Sequence, residues 1–376
     1  MKLGLVVPGG VSSLPEEGTI PCLRWLIERL ARRHDVHVFS IFGALRPAYR
    51  FLGATIHHSG TGPIRFRIHT LSSIAAEHRR GPFDLFHAFW VHPPGVIAAA
   101  AGSLLRRPVV LHVAGGELVA MPDIGYGGLQ TARGRMWTRI GLSGATRITA
   151  ASTSMLDAIQ ARGYAAERVP LGVDLQRWPP AAPRARRPGT LLRLVHVADL
   201  NAVKDQSTLL EAARRLVERG VAFQLDIAGR DTLGGALQAR AEKLGLGDRV
   251  RFHGRLSHDR LHPLVAGSDV LWLSSRHEAG PLVVLEAAVV GIPTVGTAVG
   301  HVAEMAPQAA AAVPVGDSAA LADKTLELLN NEDQRLSLGR EAQHRALACD
   351  ADWTARRFES LYEALVSAAR PKGRGR

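Results

Sequence analysis

At 376 residues, with 46% hydrophobic and 21% charged residues, the chain exceeds what one hydrophobic core usually holds, so two globular α/β-sized domains are expected. The net charge of +12 is uneven: residues 1–180 carry 20 Lys+Arg against 11 Asp+Glu, and residues 181–376 carry 26 against 23. Two distant cysteines, Cys22 and Cys349, match no disulfide framework, metal spacing or redox motif, and no uninterrupted apolar run reads as a membrane span.

The opening MKLGLVVPGG has a single lysine and only a short apolar run before its Pro-Gly-Gly break. It reads as a first strand rather than a secretory signal, and a cytoplasmic protein is expected. Gly9 and Gly10 then make a loop with no Cβ to obstruct a ligand. Further short apolar runs at 36–41, 84–90, 108–116, 147–152 and 168–172 read as strands alternating with helix-like segments, the pattern of a parallel sheet. Arg46, Arg50, Arg65, Arg67, Arg79 and Arg80 lie among apolar and aromatic neighbours in this half. Such a basic surplus suits an anionic membrane surface or an acidic acceptor, and no nucleic-acid partner is expected.

Two loops of this half carry candidate polar groups: FHAFWVHPPG, with His87 and His92, and PVVLHVAGGELV, with His112, Gly115 and Glu117. VPLGVDLQRWPP follows, then PPAAPRARRPG at 179–189, rich in Pro and Arg and without periodicity, which reads as a linker. The expected domains are residues 1–178 and 190–350, with a last amphipathic helix at about 353–370.

In the second half the strand pattern repeats at 192–198, 223–229, 250–254, 270–275, 293–297 and 310–316. The loop after the first of these leads through Asp199 and Lys204 into a helix, and the next two strands end at Gly229-Arg230 and His253-Gly254. The most informative stretch is SSRHEAGPLVVLEAAVVGIPTVGTAVG, 274–300, which sets Glu278 and Glu286 around Gly280-Pro281 and a short apolar helix closed by Gly291 and Pro293. With Pro281 near the first helical position, the N–H groups over 281–284, including those of Leu282 and Val283, point out of a helix start that favours negative charge. A diphosphate suits that place, and two acceptor-only carboxylates suit sugar hydroxyls.

Strand, Glu, Gly-Pro, apolar helix with a second Glu, Gly-x-Pro, strand and Gly-Thr-x-x-Gly, in that order, resembles the EX7E signature of retaining glycosyltransferases of family 4. The resemblance implies a GT-B fold, two Rossmann-like doubly wound domains facing an interdomain cleft, with the final helix crossing back onto the N-terminal domain. It extends over nearly the whole chain, most specifically over 195–316. The Pro-x-Gly-Val-Asp turn at 170–174 also belongs to the family pattern. Two positions depart from it: Asp199 stands where an arginine is usual, and Ala114 where a histidine is usual, with His112 two residues earlier on the same strand face.

By resemblance, Glu286 takes the ribose hydroxyls, Glu278 those of the transferred sugar, and Lys204 with the amides of 280–283 the diphosphate. The base lies near Gly229, Arg230, His253 and Gly254. Gly9, Gly10, Gly115, Glu117 and His92 line the acceptor and sugar pocket, with His112 beside the reacting group. The implied reaction uses a UDP- or GDP-linked sugar, needs no cofactor, has no metal implied, and delivers to a glycan, lipid-linked or small-molecule acceptor. Asp199 and Ala114 leave one alternative, a catalytically reduced nucleotide-sugar-binding protein; a further one is a GT-B-fold epimerase or phosphorylase, against which the Pro-x-Gly-Val-Asp turn and the form of the EX7E segment speak.

Overall fold

The structure, a computed structural model, describes residues 1–12, 19–42, 45–60, 65–187 and 189–369. It divides into two units, Met1–Gly172 with Ala351–Arg376, and Val173–Asp350.

In the first unit, β1 (Lys2–Val7), β2 (Asp35–Ser40), β3 (Tyr49–Phe51), β4 (Ala54–His58), β5 (Leu85–Phe89), β6 (Val109–Val113), β7 (Arg147–Ala150) and β8 (Glu167–Arg168) form one sheet. Among the described residues its order is β3-β4-β2-β1-β5-β6-β7-β8. All neighbours are parallel except β3, which runs antiparallel to β4. The central strands are covered on both faces, which is why they read as unbroken apolar runs. β3 and β4 have no counterpart among the strands read from the sequence. They are joined by Leu52-Gly53, both left-handed at φ 52° and 78°, the geometry of a tight two-residue hairpin turn.

Helix Pro21–Leu30 buries Leu23, Leu26, Ile27 and Leu30 against this sheet. The last helix, Ala351–Ala369, buries Phe358, Leu361, Tyr362 and Leu365 in the same core, each contributing about 1.5–3 kcal/mol of burial. Polar contacts fix its register: Arg29 Nε lies 2.7 Å from Asp352 Oδ1, and the Thr354 hydroxyl donates to the Pro170 carbonyl at 2.8 Å.

The second unit contains β9 (Leu192–Val197), β10 (Phe223–Ala228), β11 (Val250–Gly254), β12 (Val270–Leu273), β13 (Thr294–Thr297) and β14 (Ala311–Val313). Their order is β11-β10-β9-β12-β13-β14, all parallel. The structure moves the boundary read from the sequence, because the division falls between Gly172 and Val173. Trp178 is fully buried in the second unit, and Arg184 Nη2 donates to the Gly267 carbonyl at 2.7 Å. The Arg186 N–H donates to Glu332 Oε1 at 2.7 Å. A Pro- and Arg-rich stretch looks like free chain in sequence, yet its donors tie it to this unit.

Strand order reverses at one place in each sheet, between β1 and β5 and between β9 and β12. At such switch points the loops after adjacent strands diverge and leave a crevice at the carboxyl ends.

Candidate active site

At the switch point of the second unit, the loop after β9 and the loop after β12 are laced together. The Ser274 hydroxyl donates to the Lys204 carbonyl at 2.9 Å, and the Arg276 N–H to the Val203 carbonyl at 2.8 Å. Asn201 Oδ1 accepts the Lys204 N–H at 3.2 Å. This lacing brings Lys204 Nζ to 2.5 Å from Glu278 Oε1, which also accepts from the Ser275 hydroxyl at 2.7 Å. The ammonium keeps 23% of its side-chain exposure and the carboxylate 9%, so the lysine end of the pair remains open to solvent.

Behind it His196 is fully buried. Its Nδ1 lies 3.0 Å from the Trp272 carbonyl, which can only accept, so the proton sits there and Nε2 accepts from the Gln206 amide at 3.2 Å. Burial holds the imidazole neutral, with its pKa pushed down to about 4.

Helix Leu282–Val289 begins one residue later than the sequence reading placed it, since Pro281 is the N-cap, at φ −67° and ψ 113°. Proline has no N–H, and the Val284 N–H bonds back to the Pro281 carbonyl at 3.2 Å. The outward donors are therefore the amides of Leu282 and Val283, with Gly280 half-buried in front of them. Gly300 passes against this turn at φ +50°, and a Cβ there would lie 2.8 Å from Pro281 Cδ and 2.9 Å from Glu278 Cβ.

Glu286 is not paired with the Lys204 and Glu278 group. Its buried carboxylate lies 2.8 Å from His258 Nε2, and its carbonyl accepts the Trp178 indole N–H at 2.7 Å. The Trp178 and His258 rings pack with centroids 4.6 Å apart. Neither His258 nor Ser275 was picked out from the sequence; a lone histidine just after a serine N-cap carries no signal of its own.

The groups assigned to the base all have partners within this unit. Gly229 donates its N–H to the Gly254 carbonyl at 2.9 Å, and at φ +158° a Cβ on it would fall 1.8 Å from the Ala198 carbonyl oxygen. Asp199 accepts from the Arg230 N–H at 3.0 Å and pairs with its guanidinium at 3.2 Å. His253 Nε2 lies 2.7 Å from Asp226 Oδ1.

In the first unit the loops after β1 and β5 carry Gly9-Gly10 and His92. Gly10 adopts φ +77°, where a Cβ would meet Ile20 at 2.5 Å. His92 stacks on Trp137 with centroids 5.7 Å apart and sits 3.4 Å from Arg67 Nη2. Burial first, then Arg67 and Arg133, hold its pKa below the usual histidine range. His92, Glu117, Tyr126 and Thr138 line a cavity of about 230 Å³ with Gly116 and Gly128. Glu117 Oε1 accepts the Val91 N–H at 3.1 Å and the Ala114 N–H at 3.4 Å, while Oε2 is buried without a hydrogen-bond partner among the described residues. Burial raises the Glu117 pKa, opposed by these backbone amides.

His112 does not line the first unit's cavity with His92 and Glu117. It is fully buried, with Nδ1 2.9 Å from Thr149 Oγ1, between Phe89 at 5.4 Å and Phe358 at 5.9 Å. Burial lowers its pKa to about 3. Period-two alternation gives the face on which it lies, but not that the last helix covers that face.

Fold and loop chemistry together define a two-domain α/β protein with a lysine–glutamate pair at the switch point of one unit and a polar cavity in the other. The description "Glycosyl transferases group 1" matches residues 182–345, and "Glycosyl transferase 4-like domain" matches residues 17–173. The chain belongs to the group 1 glycosyltransferases of family 4 and has the GT-B fold. D-inositol 3-phosphate glycosyltransferase of Corynebacterium urealyticum is 25% identical over 309 residues, covering 75% of this chain and 67% of that protein. For two further relatives the aligned stretch spans 34% and 55% of their length. Sucrose-phosphate synthase from Thermosynechococcus elongatus superposes with a TM-score of 0.82 at 20% identity, covering 98% of this chain and 100% of that one. HepE of Anabaena, solved with UDP and glucose, gives 0.75 at 18% identity over 97% of this chain and 100% of that one. Among the described residues no helix is long and apolar enough to cross a membrane.

Proposed function

We propose that the protein is a retaining transferase that moves a sugar from a UDP- or GDP-linked donor to a hydroxyl of a glycan, lipid-linked or small-molecule acceptor. The observation that carries this reading is the Lys204–Glu278 pair, 2.5 Å apart at the β9/β12 switch point and followed directly by the Leu282 helix start. The ammonium and the free amides of Leu282 and Val283 offer positive charge to a diphosphate, and Glu278 offers an acceptor to sugar hydroxyls. That HepE is solved with UDP and glucose supports a nucleoside diphosphate donor.

In this mechanism the bond from the anomeric carbon to the diphosphate oxygen breaks as the acceptor oxygen bonds to the same face of that carbon. The acceptor proton passes to the departing phosphate. Lys204 and the helix start stabilise the charge that develops on the leaving group, and no side-chain nucleophile is needed. Asp199 does not bring an unbalanced negative charge to this place, because Arg230 takes up its carboxylate. His92 and Glu117 line the cavity of the first unit, which we assign to the acceptor, and the basic surplus of residues 1–180 suits an anionic membrane surface that presents it.

The test is a panel of UDP, GDP and ADP sugars, following nucleotide release with and without acceptors, and reading the anomeric configuration of the product by NMR. Release from one nucleotide class with retained configuration is expected. An inverted product removes the mechanism. Donor binding with no turnover of any donor, across varied acceptors, would support the reduced binding protein instead.

A further inference from the structure

Two buried histidines and a half-buried glutamate in the first unit have no part in the chemistry above. β2 and β4 are parallel neighbours in the register His37↔Thr55 and Phe39↔His57. His37 and His57 therefore lie on one face, a diagonal step apart, and helix Arg65–Arg80 supplies Glu77 to them. His37 Nδ1 is 3.0 Å from His57 Nε2 and 3.9 Å from Glu77 Oε2, and the three candidate donor atoms all fall within 4.8 Å of one another.

We propose that His37, His57 and Glu77 supply three ligands to one divalent transition-metal ion of the zinc type, with a water molecule as the fourth. Two imidazole nitrogens and a carboxylate oxygen at this spacing are a donor set for zinc, cobalt or nickel rather than for magnesium or calcium. Two facing ring nitrogens share a single proton in the metal-free protein, and an ion in its place uses both lone pairs. Burial already keeps both rings neutral, His57 down to about 4 and His37 below its ordinary value, as metal ligation requires.

The outer groups fit as well. His37 Nε2 lies 3.4 Å from Asp35 Oδ1, the arrangement in which a carboxylate orients a ligating imidazole. Arg80 occupies Glu77 Oε1 at 2.5 Å and leaves Oε2 to face the histidines. Lys2 Nζ is 3.9 Å from that Oε2, but its own hydrogen bond goes to the Glu77 carbonyl at 2.9 Å, over the Phe83 ring. An ion on Oε2 does not strip the lysine of partners. His57 stacks on Phe39 at 4.7 Å and His37 meets Phe83 edge-on at 5.5 Å, so the rings are held in place before an ion arrives. The consequence is a clamp joining helix Arg65–Arg80 to strands β2 and β4.

The full chain, stripped with a chelator, is titrated with cobalt(II) and then with zinc(II). One equivalent of cobalt with the strong visible absorption of a four-coordinate ion, displaced by zinc and accompanied by a higher unfolding midpoint, is expected. Glu77→Gln, which keeps side-chain size, and His57→Gln should each abolish that absorption. Asp35→Asn should keep the stoichiometry and weaken affinity about 10–100-fold. Absence of saturable binding, weak six-coordinate absorption, or equal binding in folded Glu77→Gln protein overturns the proposal.

Discussion

In the second unit Glu278 meets a lysine ammonium and a serine hydroxyl and Glu286 an imidazole, whereas in the first unit Glu117 meets main-chain amides. A carboxylate held by side chains can exchange them for the hydroxyls or phosphates of a ligand, because a rotamer change is all that is needed. One held by backbone N–H groups fixes a loop, here the turn through Trp90 and Val91 that presents His92. The two units thus use the same residue type differently, for exchange in one and for shape in the other.

The largest test of that contrast is Lys204→Ala. Loss of the charge facing the leaving group should slow transfer by about 2–4 kcal/mol with donor affinity changed far less. Steady-state rates beside calorimetric donor binding separate the two, and unchanged turnover would remove the assigned role.

Glu286→Ala should weaken nucleotide-sugar binding by about 1.5–3 kcal/mol, the range for hydrogen bonds to a charged group. Equal donor Kd for the variant and the parent would show that His258 alone is its partner.

Glu117→Ala is expected to lower stability by about 1–3 kcal/mol by leaving the Val91 and Ala114 amides unpaired, and Glu117→Gln by much less. Urea unfolding of both variants reads this. If both cost the same, shape is not what Glu117 provides.

Acid should act on both units alike. His112 and His196 have pKa values pushed down to about 3 and about 4, below the ordinary 6.5, so the neutral ring is what the folded state holds. The stability this gives is complete above pH 6.5 and lost as pH falls toward those values, at about 2 kcal/mol per histidine by pH 5. Replacing His112 by Gln should flatten the fall in unfolding free energy between pH 7 and 5; an unaltered slope would remove it from the account.

The smallest effect is His258→Phe. It keeps the packing on Trp178 and deletes one hydrogen bond to Glu286, for about 0.5–1.5 kcal/mol in donor affinity. An effect as large as that of Glu286→Ala would make His258 a ligand contact itself.

Strands such as β5, β6, β12 and β13 were legible as apolar runs because they are covered on both faces, and the helix start near Pro281 because capping is a local matter. That Lys204 and Glu278 belong together came from the family resemblance and not from spacing, since 74 positions separate them. The hairpin of β3 and β4 was not legible. Its strands are short and carry His57 and His58, so no run of apolar residues marks them.

By itself the sequence determined the alternation of strands and helices, the two parallel sheets and the positions of the loops, all properties that each segment expresses through its own pattern. The tertiary structure decided what each polar side chain meets. It closed the last helix over His112, drew residues 173–187 onto the second unit, gave Glu286 to His258 and gathered His37, His57 and Glu77. Burial and hydrogen-bond partners depend on which distant segment covers a face, and a segment's own periodicity carries no record of its cover.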